Sequence, residues 1–261
     1  PPVGQVQVST AADAQREAAR RAAAVVDDAV ADTLAGSERF GGLVALRGAA
    51  GPGPTAQMRR EAEGLLAAGR LRSDGQEAVG RLDVLRMLGE AELREGRAYG
   101  PGLTYGWALL RGLCAELNAR GRAGGPALEP GPVQLACFDG GGAGYAVHRD
   151  HSDFGVLPFL GDGLPEDPAE RVVARRRVTA ILYLQEGPWL PSWGGAFRAH
   201  EGTVFQVLDR QASGREIPGS FADCLPEGGT VVLFRSRDLA HEVLPTSHRR
   251  FALTMWMLEE E

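Results

Sequence analysis

His148 and Asp150, two positions apart in Gly144-Tyr145-Ala146-Val147-His148-Arg149-Asp150, together with His241 and Arg250 far downstream, are the residues best suited to chemistry. Two imidazoles and one carboxylate cover one face of an Fe(II) ion and leave positions open for a co-substrate and oxygen. In an extended segment residues i and i+2 project to the same side, so His148 and Asp150 can grip one ion while Arg149 points elsewhere. His241 can be delivered only by the fold. Arg250 is a permanent cation able to hold a distal carboxylate in a bidentate fork. The set predicts an iron centre that takes a small dicarboxylate.

An H-x-D pair alone is a weak pattern, and its context carries the reading. Ala240-His241-Glu242-Val243-Leu244-Pro245 precedes Arg249-Arg250-Phe251-Ala252-Leu253-Thr254-Met255-Trp256-Met257. In the second run Arg250, Ala252, Thr254 and Trp256 share one face, while Phe251, Leu253, Met255 and Met257 share the other. That alternation predicts a central strand with an apolar back and a polar-aromatic front on a cavity. A buried cation on such a front needs an anionic partner. Arg249 and Glu242 have the opposite parity to Arg250 and His241 and are expected to point away.

From Gln134 to Trp256 the sequence resembles the catalytic core of the prolyl 4-hydroxylases. The likeness is greatest to the intracellular, oxygen-sensing branch, the hypoxia-inducible-factor prolyl hydroxylases and their protist and bacterial relatives. The residues that carry it are Gly144 to Asp150, Thr179-Ala180-Ile181-Leu182-Tyr183-Leu184, Gly194-Gly195-Ala196-Phe197-Arg198, His241 to Pro245 and Arg250 to Trp256. The resemblance implies that His148, Asp150 and His241 bind Fe(II) and, with Arg250, form the catalytic set. It implies that Arg250 and Tyr183 hold the far carboxylate of 2-oxoglutarate, that Thr179, Ile181 and Val243 line its slot, and that Tyr145 and Trp256 face a proline substrate. The chemistry implied is O2-dependent hydroxylation with release of succinate and CO2, ascorbate keeping the iron reduced. The retained carboxylate of Asp150 fills a position that related halogenases leave to chloride. Two departures stand out. Phe138 occupies a place where the sensing enzymes carry tyrosine, and Gln185 replaces the asparagine common after Tyr-Leu.

The elements expected to position these residues give an α+β fold with a mainly β core. It is a double-stranded β-helix (jelly roll, cupin-like) supported by N-terminal helices. Residues 1–10 are expected to be a disordered tail. Residues 11–261 are expected to form a single domain, with helical support over about 11–120 and a catalytic β core over about 133–258. Helices are expected over Ala11–Leu34, Ala56–Ala68 and Leu103–Asn118. Strands are expected at Leu43–Arg47 and Arg81–Leu88, followed by a flexible charged loop from Gly89 to Gly100. Ser152–Arg175 and Thr203–Ala222 read as insertions, the first placed to touch substrate. Gly140 to Gly144 lacks the lysine and hydroxyl residue of a phosphate loop and reads as a turn before the metal strand. His200 and His248 read as surface residues, and His151 as exposed or supporting the site.

Composition narrows the function classes. The chain of 261 residues has a net charge of −6, and its basic residues are all arginine. No basic field suited to nucleic acid is present, and no run approaches a membrane span. Cys114, Cys137 and Cys224 are few and widely spaced, which suits a reducing compartment, cytoplasmic or nuclear. The expected partner is a protein or peptide bearing a target proline. The alternatives are a hydroxylase of a free amino acid or peptide natural product, and a catalytically silent binding module of the same fold.

Overall fold

The computed structural model describes residues 7–37, 39–121, 126–151, 167–215 and 217–260. Ten strands are described: β1 (Val44–Leu46), β2 (Val84–Leu88), β3 (Leu128–Asp139), β4 (Ala143–His148), β5 (Arg176–Tyr183), β6 (Phe197–His200), β7 (Phe221–Cys224), β8 (Val231–Arg235), β9 (Ala240–Thr246) and β10 (Arg249–Glu259). They form a larger sheet ordered β1-β8-β5-β10-β3-β2 and a smaller one ordered β4-β9-β6-β7, and every pairing is antiparallel. This is the expected double-stranded β-helix. β10 lies between β5 and β3 and divides as its alternation predicts. Phe251, Leu253, Met255 and Met257 join the main apolar core, while Arg250, Ala252, Thr254 and Trp256 line a cavity.

Helices cover the outer face of the larger sheet. α1 (Ala11–Val25) starts where Thr10 accepts a hydrogen bond from the Asp13 N–H, and its buried alanines 14, 18 and 22 form a narrow stripe. Small side chains let it approach α5 (Gly100–Ala119), where a Cβ on Gly112 would stand 2.7 Å from that of Ala22. α5 is buried along most of its length, through residues such as Leu103, Leu109, Leu113 and Leu117. α3 (Pro52–Ala67) packs beside it.

Three expectations are corrected. The helix expected over Ala11–Leu34 is two, because extended Asp27 accepts from the Val30 N–H and starts α2 (Asp28–Gly36). The expected loop after Gly89 contains α4 (Glu90–Glu95), held by fully buried Leu93. The Thr203–Ala222 insertion holds α7 (Val204–Ser213), opened by a capping box between Thr203 and Gln206. Of the Ser152–Arg175 insertion, residues 152–166 lie outside the described residues, and the rest contains α6 (Pro168–Ala174). Residues 1–6 of the expected tail also lie outside them. Val8 is buried, and its carbonyl accepts from Gln57 Nε2 at 3.0 Å. No helix among the described residues is long and apolar enough to cross a membrane.

Candidate metal and co-substrate centre

The glycine turn at 140–142, with all three residues at positive φ, feeds β4 into its pairing with β9. The register then sets His148, the last residue of β4, directly opposite His241. Their rings lie 4.2 Å apart between centroids. After His148 the chain bends, bringing the Asp150 carboxylate to both imidazoles: Oδ1 is 3.6 Å from His148 Nε2 and 3.8 Å from His241 Nε2. The bend also changes the expectation for Arg149. Strand alternation ends at His148, so Arg149 does not point away but lines the same cavity as its neighbours.

Both imidazoles are oriented from behind. His148 Nδ1 lies 2.8 Å from the Ala146 carbonyl and His241 Nδ1 lies 3.2 Å from that of Leu239. A carbonyl can only accept, so Nδ1 of each ring donates to it and Nε2 is the nitrogen turned toward Asp150. Phe197 stacks on His241 at 5.0 Å, and Phe234 meets it in a T-shaped contact at 4.9 Å. Burial pushes His241 down to about 4, with His148 adding to the shift and Asp150 opposing it. Burial works against the Asp150 carboxylate, yet His241, His148 and Arg176 hold it well below the usual range. One donor atom from each of His148, Asp150 and His241 lies within 4.8 Å of the others. Three electron-rich atoms converging in a buried place suit a cation, and this nitrogen and oxygen set with open positions suits iron.

Arg250 supplies the second half of the centre. It is 1 % exposed, and among the described residues it has no carboxylate partner. Its guanidinium carbon lies 5.1 Å from the Phe138 ring centre and 5.0 Å from that of Tyr183. Burial lowers its pKa, while the Tyr183 phenol acts in the other direction. Arg250 Nε and Tyr183 Oη are both buried without a hydrogen-bond partner. Orphaned groups of this kind are costly unless an anionic acceptor completes them, so the pair fits a carboxylate.

The cavity, about 320 Å³, joins the two halves. Of the sequence-predicted residues, Tyr145, His148, Asp150, Ile181, His241, Val243, Arg250 and Trp256 line it, as does Phe138. Tyr183 is fully buried beside Arg250 and does not line the cavity. Thr179, expected to line the co-substrate slot, is not among the residues lining the cavity and donates to Asp150 Oδ2 at 2.8 Å. His200 is buried rather than on the surface, its Nε2 2.8 Å from Glu242 Oε1 on the side of β9 away from His241. His248 is exposed and stacks on Trp193. His151 lies 2.9 Å from the Ala174 carbonyl at the cavity edge.

Sequence reasoning missed Arg176 and Arg81. Arg176 lies over Trp256 at 3.8 Å and donates to the Asp150 carbonyl at 3.0 Å. Thr179 and Ile181 set the site-facing parity of β5 and would assign Arg177 to that face. A register irregularity against Met257 and Leu258 turns Arg176 inward instead. Arg81 lies over Tyr145 at 5.1 Å and is paired with Asp83 and Asp74. The alternating spacing of Arg81 and Asp83 was the available signal.

Residues 133–258 match the model of the 2OG-Fe(II) oxygenase superfamily. No curated protein sequence matches the chain. A Pseudomonas putida prolyl-4-hydroxylase superposes with a TM-score of 0.63 and 25 % identity, over 89 % of this chain and 98 % of its own. A Trichoplax adhaerens prolyl hydroxylase, solved with a peptide of the hypoxia inducible factor oxygen degradation domain, gives 0.62 and 18 % over 94 % and 91 %. SnoK, a carbocyclase of nogalamycin biosynthesis, shares the fold at 0.58 and 14 %, over 91 % and 85 %. Residues 133–258 are thus a 2OG-Fe(II) oxygenase domain, and the protein is a 2-oxoglutarate-dependent dioxygenase.

Proposed function

We propose that this dioxygenase 4-hydroxylates a prolyl residue in a protein or peptide, with 2-oxoglutarate and O2 consumed and succinate and CO2 released. The observation that carries the reading is the likeness to the Pseudomonas putida prolyl-4-hydroxylase over nearly the whole of both chains. The aromatic walls Tyr145 and Trp256 of the cavity support it. His148, Asp150 and His241 hold Fe(II), which supplies the oxidising chemistry when bound. Arg250 receives the far carboxylate of 2-oxoglutarate in a fork, with Tyr183 adding one hydrogen bond. Ile181 and Val243 give the slot apolar walls. Tyr145 and Trp256 shape the entry for a five-membered ring, and ascorbate serves to keep the iron reduced.

A second reading, oxidation of a small molecule, is favoured by the fold likeness to SnoK, described as an alpha-ketoglutarate-dependent carbocyclase. The two readings separate in one assay. Purified protein with Fe(II), 2-oxoglutarate and ascorbate is offered proline-containing peptides and, in parallel, free proline. Succinate formed in step with oxygen gain on a peptide proline supports the first reading. Coupled turnover on free proline alone moves the assignment to the second, and tight peptide binding without succinate, despite bound iron, sinks both.

A further inference from the structure

Asp150 is held from the side opposite the imidazoles. Thr179 Oγ1 donates to Asp150 Oδ2 at 2.8 Å and also lies 2.8 Å from Ser236 Oγ. Thr179 and Ser236 are both fully buried. The direction of this chain follows from proton counting. An ionised carboxylate only accepts and a hydroxyl has one proton, so the Thr179 proton goes to Asp150. Ser236 must then donate to the free lone pair of Thr179. Each hydroxyl in such a chain polarises the next and strengthens its bond to the charged end.

The chain is rigidly mounted. Thr179 lies in β5 between Phe234 of β8 and Trp256 of β10. Ser236 follows β8, and its N–H donates to the Arg177 carbonyl at 2.9 Å. Oδ2 is therefore tied to the larger sheet, while Oδ1 is the oxygen facing both Nε2 atoms. We propose that Ser236 and Thr179 form a hydroxyl relay that positions Asp150, presenting Oδ1 alone to the metal and withholding Oδ2. Both act through Asp150 and are positioning residues. The inference rests on the assignment of Asp150 as a metal ligand.

The test is Co(II) binding to the metal-free full chain, measured by calorimetry without 2-oxoglutarate so that turnover does not enter. Thr179→Val keeps the side-chain shape and removes the hydroxyl; its Co(II) affinity is expected to fall about 10- to 100-fold, as for other partners that orient metal ligands. Ser236→Ala falls by less, and the double variant binds no more weakly than Thr179→Val, because Ser236 acts through Thr179. Thr179→Ser restores most of the loss, which a purely packing role would not produce. Unchanged Co(II) affinity in a folded Thr179→Val, or no recovery in Thr179→Ser, overturns the relay. If Thr179→Val does not fold, unchanged affinity in Ser236→Ala overturns it. Asp150→Ala is the control for the ligand reading: normal Co(II) affinity there defeats that assignment, whereas loss there with unchanged relay variants defeats the relay alone.

Discussion

At the scale of single residues, the two orphaned groups Arg250 Nε and Tyr183 Oη make the proposed co-substrate site quantitative. A hydrogen bond to a charged acceptor is worth about 1.5–3 kcal/mol. Tyr183→Phe should therefore weaken 2-oxoglutarate binding roughly 10- to 100-fold, read by calorimetry on the Co(II)-loaded protein; affinity unchanged by the variant removes Tyr183 from the site. Phe138 gives the converse case. Its ring lines the cavity beside Arg250, and Phe138→Tyr adds a hydroxyl where the resemblance expects one. We expect tighter 2-oxoglutarate binding by about 1 kcal/mol, roughly fivefold, and weaker binding would mean that the slot has no room for the oxygen. The thiols behave differently. Burial pushes Cys114 and Cys137 up to about 12 and raises Cys224 as well, but Cys224 is only half-buried whereas the other two are buried. Alkylation at pH 8 should mark Cys224 first, with Cys114 and Cys137 reacting only on unfolding, because the thiolate is the reactive form.

At the scale of elements, the centre depends on how the smaller sheet is closed. Gly194, at φ +69°, bridges to Thr246 at the end of β9, and a Cβ there would stand 2.2 Å from the Pro245 carbonyl oxygen. Neither the left-handed backbone nor that approach tolerates a side chain. Gly194→Ala is expected to cost about 2–4 kcal/mol, seen as a Tm lower by roughly 5–15 °C in thermal denaturation; an unchanged Tm would show that this corner can rearrange freely. Elements also mark the limits of sequence reading. β10 was legible because its neighbours bury it on both sides, so alternation alone names the residues on each face. Arg176 and Arg149 were not legible. One is turned by a register irregularity in β5 and the other by a bend after β4, and both features break the period of two on which the reading relies.

At the scale of the whole molecule, the proposed ligands join the end of β4, the bend after it and β9, so metal binding should stabilise the entire domain. Saturation to 100 times the dissociation constant adds about 2.7 kcal/mol. That corresponds to a Tm rise of roughly 5–11 °C with Co(II) or anaerobic Fe(II), reversed by a chelator and absent in Asp150→Ala. A rise of equal size in Asp150→Ala would place the stabilising ion elsewhere. The chain as a whole carries a net charge of −6, yet its cavity is lined by several arginines. There Arg81, Arg149 and Arg176 stand with Gln134, Tyr145 and Trp256 along its walls.

The sequence by itself determined the residue types of the centre, the faces of β10 and the β-rich architecture, because these follow from chemistry and local periodicity. Tertiary structure alone decided which groups meet. His148 faces His241 through the β4–β9 register, Thr179 donates to Asp150, and Ser236 reaches Thr179 across β8 and β5. The physical reason is that periodicity states which side of an element is buried, while register, bends and strand neighbours come from long-range packing that no local pattern records.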